Sequence, residues 1–142
     1  MIVVGDFIAL TKPRVMSLLL VSAVTGAFLG AGSTPTLEVL IAVLVGGALA
    51  SGGAASLNMA YEGELDRQMG RTKNRPVAEG RISARTATLY GILLNAGSFA
   101  ILSLMTNVLA ASLAIAGTVL YFGLYTVILK RTTTQNIVVG GA

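Results

Sequence analysis

Residues 58–76 read NMAYEGELDRQMGRTKNRP and hold most of the side chains able to do chemistry. Three acids (Glu62, Glu64, Asp66) are followed by four bases (Arg67, Arg71, Lys73, Arg75). Asn58, Glu62 and Asp66 recur every four residues. At about 3.6 residues per turn such a step drifts only about 40°, so a helix carries all three on one face and turns Glu64 away. Left alone, that face is unfavourable. Acids one turn apart repel by roughly 0.2–0.5 kcal/mol, and acids near a helix C-terminus meet the negative pole of the macrodipole. A divalent cation between the carboxylates reverses both penalties. Mg²⁺ suits, because it takes oxygen ligands and is commonly held by one or two carboxylates together with substrate phosphates. The bases downstream supply donors for those phosphates, arginine as a bidentate fork and lysine as a point charge. From the residues alone three readings stand: a Mg²⁺–diphosphate site, a basic loop that orients the chain and holds anionic lipid headgroups, and an ion or proton pathway.

The rest of the chain limits these readings. It is 54% hydrophobic and 11% charged, against roughly 25% charged for a soluble domain, which makes it a membrane protein. Cysteine and histidine are absent. The chain's own residues therefore supply no disulfide, Cys/His zinc site, histidine haem ligand, or histidine or cysteine nucleophile. MIVVGDFIALTKPR places its basic residues after the short apolar run, the reverse of a secretory signal, and lacks the Arg/Ser richness of a mitochondrial presequence. A bacterial or archaeal plasma membrane is the expected location.

A helix needs about 20 predominantly apolar residues to cross the hydrocarbon. Four windows qualify, at 15–32, 39–61, 86–105 and 108–129, the last two joined by a tight hairpin at Thr106 and Asn107. The expected fold is an all-α, polytopic transmembrane bundle, with helices preferred because the backbone must be satisfied within each span and no alternating barrel pattern occurs. All ten Lys and Arg residues fall before the first span, between the second and third, or after the fourth. The positive-inside rule then puts the N-terminus and the loop 62–85 in the cytoplasm. GGALASGGAAS, at 46–56, is expected to serve close helix packing, with room for a bulky ligand as the alternative. QNIVVGGA starts another apolar run and ends after a few residues, so the chain is expected to be part of a longer protein with an incomplete fifth span.

Residues 58–76 resemble the first aspartate-rich motif of the UbiA-type intramembrane prenyltransferases, N-D-x-x-D-x-x-x-D followed by R-T-x-x-R-P. Asn58, Glu62 and Asp66 match three of its positions, and Arg71, Thr72, Lys73, Asn74, Arg75 and Pro76 match the loop; Met59 stands where many members carry Asp, and Glu62 replaces an Asp. LTKPRVMSLLL (10–20) and LYTVILKRTTTQNIVVGGA (124–142) are similar to the protoheme IX farnesyltransferase, or haem O synthase, branch of that family. The resemblance covers nearly the whole chain and corresponds to about the first half of a nine-helix domain, here 1–142. It implies Mg²⁺-dependent transfer of farnesyl from farnesyl diphosphate to a vinyl group of haem b, with haem b as substrate. It further implies Asn58, Glu62 and Asp66 as catalytic metal-holding residues, and Arg71, Lys73, Arg75 and Lys130 on the diphosphate. Farnesyl diphosphate, haem b, membrane lipids, and haem A synthase or oxidase assembly proteins are the implied partners; no nucleic acid is expected.

Lys12 and Arg14 are expected to orient the first span, with contact to a haem propionate as the alternative; Lys130 has a topogenic role at a helix end as its equal alternative, and Arg131 is expected to be topogenic. Asn136 is suggested only by the motif. No Asp or Glu follows Glu79, so the family's second acidic motif is missing, and the isolated chain is expected to lack activity. Within the same class the acceptor could instead be a quinone precursor, a chlorophyllide or a lipid. Readings from other classes are a small four-helix transporter and a non-catalytic haem-binding assembly factor.

Overall fold

The computed structural model describes residues 3–129 and residue 132, and the described residues contain helices and turns but no strand. A short helix α1 (Val4–Leu10) leads into α2 (Pro13–Ala31). Then come α3 (Leu37–Gln68), α4 (Ala84–Met105) and α5 (Val108–Val119), the last continuing as a π-helical segment, Leu120–Leu129. Four helices, with α5 and the π segment counted as one, are long and apolar enough to cross a membrane. Lys130, Arg131 and Asn136 lie outside the described residues.

The helix starts follow local chemistry. Pro13 occupies the first turn of α2, where its missing N–H is no loss. Thr36, Ser83 and Asn107 cap α3, α4 and α5 by accepting from the backbone N–H of Val39, Thr86 and Ala110, which satisfies donors the helix cannot. Asn107 and Thr106 form the expected hairpin between α4 and α5. Gly32, at φ +61°, ends α2 in the left-handed region that glycine tolerates.

One element departs from expectation: the helix α1 was not anticipated. The helix holding the second apolar window runs on past Tyr61 to Gln68, as the shared face of Asn58, Glu62 and Asp66 requires, in one 32-residue helix. At about 1.5 Å per residue α3 is about 48 Å long, against a hydrocarbon core of about 30 Å. That spare length lets its acid-bearing end reach beyond the apolar layer without breaking the helix.

At the centre of the bundle, α3 packs most closely on α4 and also touches α2, α5 and the π segment. The small-residue stretch serves close packing and, on another side, borders an open cleft. Towards α4 it permits close approach: a Cβ on Gly46 would lie 2.6 Å from Leu102 Cγ, and one on Gly53 would lie 2.7 Å from the Gly91 carbonyl oxygen. On another side Gly47, Ala50, Ser51 and Ala54 border a cleft. One polar tie crosses the tight contact, from Ser98 to Gly46, and two more join α5 to α4 and brace α4 beside it. Ser98 donates to the Gly46 carbonyl at 2.7 Å, Thr118 to the Asn95 side-chain oxygen at 2.8 Å, and the Asn95 amide to the Gly91 carbonyl at 2.9 Å. In lipid, where the hydrophobic effect does not drive helix association, small residues and such bonds do.

At one end of the bundle Leu10, Met59, Val77, Ile82 and Ala87 form a buried cluster, bringing α1, α3, α4 and the loop between α3 and α4 together. Phe7 meets Tyr90 edge-on at 5.0 Å between ring centres.

Candidate functional site

The end of α3 carries the acid face as its spacing requires. Asn58, Glu62 and Asp66 are 2%, 4% and 3% exposed, whereas the Glu64 side chain is 81% exposed and pairs with Arg67 at 2.9 Å. A carboxylate buried this deeply needs a partner, since an isolated charge out of water is costly. Asp66 has one in Arg75, whose guanidinium donates to its Oδ2 at 2.7 Å. The Asp66 carbonyl also accepts from the Thr72 hydroxyl at 3.2 Å, and Arg67 donates to the Ala78 carbonyl at 2.8 Å. The loop after α3 is thereby strapped back onto the acid face. Arg71 and Lys73 are exposed on that loop, and neither has an ion-pair partner among the described residues.

Asn58 ties separate helices together. Its Oδ1 accepts from Lys12 Nζ at 2.7 Å, and its amide donates to the Thr126 hydroxyl at 3.2 Å. Thr126, 1% exposed, donates in turn to the Tyr121 carbonyl five residues back, at 3.2 Å, so the wide π turn is what brings this hydroxyl to Asn58. Lys12 sits at φ +51°, immediately before Pro13. Its place at the site was weighted in the sequence towards topology or a haem propionate; the structure puts it on Asn58. Lys12→Met is expected to leave the Asn58 oxygen short of a partner and lower stability by about 1–3 kcal/mol, measured as a drop in the thermal unfolding midpoint in detergent.

Beside the acid face lies an apolar cleft of about 350 Å³ between α2, α3 and the fourth span, lined among others by Val15, Leu19, Ala50, Ala54 and Gly117. Lys12 and Tyr121 also line it. Lys12 links it to Asn58, and Tyr121 lies within electrostatic reach of Glu62 and Arg75. A charged head and an apolar tail could be held here as one ligand.

As metal donors, Glu62 and Asp66 offer two buried carboxylates on one helical face, with the Asn58 oxygen one turn away. Among the described residues no group of three or more His, Cys, Asp or Glu side chains converges to hold a metal ion. By themselves two carboxylates and an amide oxygen fall short of an all-protein metal cage.

Of the expected diphosphate residues, Arg75 is brought to the acid face, Arg71 and Lys73 lie exposed on the same loop, and Lys130 lies outside the described residues. Thr72, part of the loop motif, and Lys12 join the site by contacts their motifs do not specify, and Thr126 joins it unannounced by any local signal.

Residues 19–142 match the UbiA prenyltransferase family. The chain belongs to that family. Several of its UbiA relatives carry the name protoheme IX farnesyltransferase. The one from Chloroflexus aurantiacus is 45% identical over 98% of this chain and 24% of its own length. That from Trichodesmium erythraeum is 45% identical over 96% of the chain and 42% of the relative. Protoheme IX farnesyltransferase 1 of Saccharopolyspora erythraea is 44% identical over 99% of the chain and 45% of the relative. The chain thus spans between about a quarter and about half the length of these curated UbiA relatives. No solved structure matches it.

Proposed function

We propose that residues 1–142 are the N-terminal part of a single membrane-embedded prenyltransferase domain. The whole protein transfers farnesyl from farnesyl diphosphate to a vinyl group of haem b, giving haem O for haem-copper oxidases. The observation that carries the reading is the buried Asn58–Glu62–Asp66 face, bound to Arg75 and set against an apolar cleft. The names of the relatives favour haem as the acceptor over a quinone precursor or chlorophyllide. The membrane is a bacterial or archaeal plasma membrane, with the charged loop facing the cytoplasm, where a water-soluble diphosphate head is supplied.

Glu62, Asp66 and the Asn58 oxygen are the groups that would hold Mg²⁺, which when bound supplies Lewis-acid neutralisation of the leaving pyrophosphate. Arg75, held ready by Asp66, and the exposed Arg71 and Lys73, together with Lys130, contribute cationic donors to the same polyanion. These donors are worth most where charge develops as the bond breaks. Pyrophosphate leaves with the electrons of the C–O bond, and the allylic carbon becomes electron-poor. The terminal vinyl carbon of haem b bonds to it, water adds its oxygen to the inner vinyl carbon, and one proton is released. The cleft keeps water from the prenyl tail. One copy of this chain supplies one acidic motif, so turnover is assigned to the full-length protein.

The test uses full-length protein in membranes with haem b, farnesyl diphosphate and Mg²⁺, following haem O by mass. Haem O that forms and vanishes with a chelator supports the reading. Prenylation of a different acceptor would retain the site and change the substrate, and no prenyl transfer from folded protein would sink it. Ala54 lines the cleft and is 8% exposed. Ala54→Phe is expected to shift preference from farnesyl towards geranyl diphosphate by about tenfold or more, measured as the ratio of kcat/KM values.

A further inference from the structure

We propose that Asp6 and Arg81 form a clamp that positions the cationic loop for the diphosphate, with α1 acting as a strap across the loop's base. The proposal rests on the diphosphate reading above. Asp6 is 2% exposed, although it belongs to a seven-residue helix that leads into the first span. Its carboxylate accepts from the Val3 N–H at 3.2 Å, closing the first turn of α1, and from the Arg81 guanidinium.

Arg81 uses the rest of its fork on the loop itself, donating to Glu79 Oε2 at 2.6 Å and to the Asn74 carbonyl at 3.1 Å. Asn74 lies between Lys73 and Arg75, two of the diphosphate candidates. One planar guanidinium therefore joins α1 to the backbone from which both cations project, a rigid geometry lysine does not reproduce. Among the described residues no other hydrogen bond crosses from α1 to the loop. Apolar contacts support the strap: Leu10 is fully buried with Val77 and Ile82 of the loop, and Phe7 packs on Tyr90. Two residues beyond α1, Lys12 reaches Asn58, so the same helix also sets the entry to the acid face.

The loop's opposite side is held to α3 through Thr72, Arg75 and Arg67. Losing the clamp frees one side only, so Lys73 loses alignment and Arg75 is left on its Asp66 bridge alone while the bundle stays folded. Neither Asp6 nor Arg81 needs to touch the ligand. They are positioning residues, and outer partners of this kind typically change affinity by about 10–100-fold.

The experiment measures Mg²⁺-dependent binding of inorganic pyrophosphate to purified full-length protein, for wild type, Asp6→Asn, Arg81→Gln, Arg81→Lys and the double variant. Thermal midpoints are recorded alongside. Each single variant is expected to weaken binding by about tenfold, with Arg81→Lys intermediate. The double variant separates positioning from stability. The Asp6 side chain is 3% exposed and that of Arg81 38%, so replacing both removes the one deeply buried charge together with its partner, and the midpoint should recover towards wild type while binding stays weak. Recovery of binding together with the midpoint would reduce the pair to a structural contact and overturn the proposal. Wild-type binding left unchanged in the variants would overturn the clamp alone. Wild-type protein that binds no pyrophosphate would overturn the diphosphate reading, and the clamp's role with it.

Discussion

Asp66→Asn in the full-length protein is expected to lower haem O formation by at least about 100-fold, the scale at which a preorganised electrostatic contributor acts on the reaction step. Two losses coincide at this carboxylate. Its Oδ2 holds Arg75 at 2.7 Å, so the amide releases the cation that is proposed to meet the polyanion. It also removes one of the two buried acids of α3 that are proposed to hold Mg²⁺. Folding should survive better than activity. Breaking a fully buried pair costs about 3–5 kcal/mol, but the Arg75 side chain is 23% exposed, so water recovers part of its charge and the loss falls well below that range. The measurement is haem O by mass against Mg²⁺ concentration, with the thermal midpoint of the same preparations. Near-wild-type turnover in the variant would remove Asp66 from the site. A collapsed midpoint with proportionate loss of activity would make its role structural.

Gly53→Ala is expected to be the most damaging single methyl group in the bundle. The added Cβ would sit 2.7 Å from the Gly91 carbonyl oxygen, which is backbone of α4 and cannot turn aside, and it also runs into the Asn95 amide. That amide is engaged with Gly91, while the Asn95 oxygen accepts from Thr118, so relief on one side breaks a bond on the other. Overpacking of a tight contact costs about 1–3 kcal/mol, and loss of the Asn95–Thr118 bond adds about 0.5–1.5 kcal/mol. Gly26→Ala provides the contrast: nothing lies within 4 Å of a Cβ there, and α2 should gain about 0.4–1 kcal/mol as the more flexible residue is replaced. The two variants should move the thermal midpoint in detergent in opposite directions. A tolerated Gly53→Ala would mean that α3 and α4 do not approach as closely as their backbones require here.

Taken alone, the sequence determined whatever is written within a single segment. Hydropathy over about 20 residues marked the spans, because the cost of crossing lipid is set by local composition. Every-fourth spacing put Asn58, Glu62 and Asp66 on one face and Glu64 off it, because helical periodicity is the same in any surroundings. Capping residues at Thr36, Ser83 and Asn107 could likewise be found locally. The family motif sat in the same short stretch. What depended on packing could not be found this way. Lys12 meets Asn58 across 46 positions, Thr126 across 68, and Asp6 meets Arg81 across 75; no spacing rule connects such pairs. Gly46 and Gly53 are distinguished from Gly47 only by which neighbour each faces. The apolar run before Lys12 gave no sign that it would become a strap, because seven residues make a poor helix unless tertiary contacts hold them. Tertiary structure alone decided which buried charge is paired, which small residue faces a neighbouring helix and which borders the cleft, because long-range partners are set by the packing of whole helices.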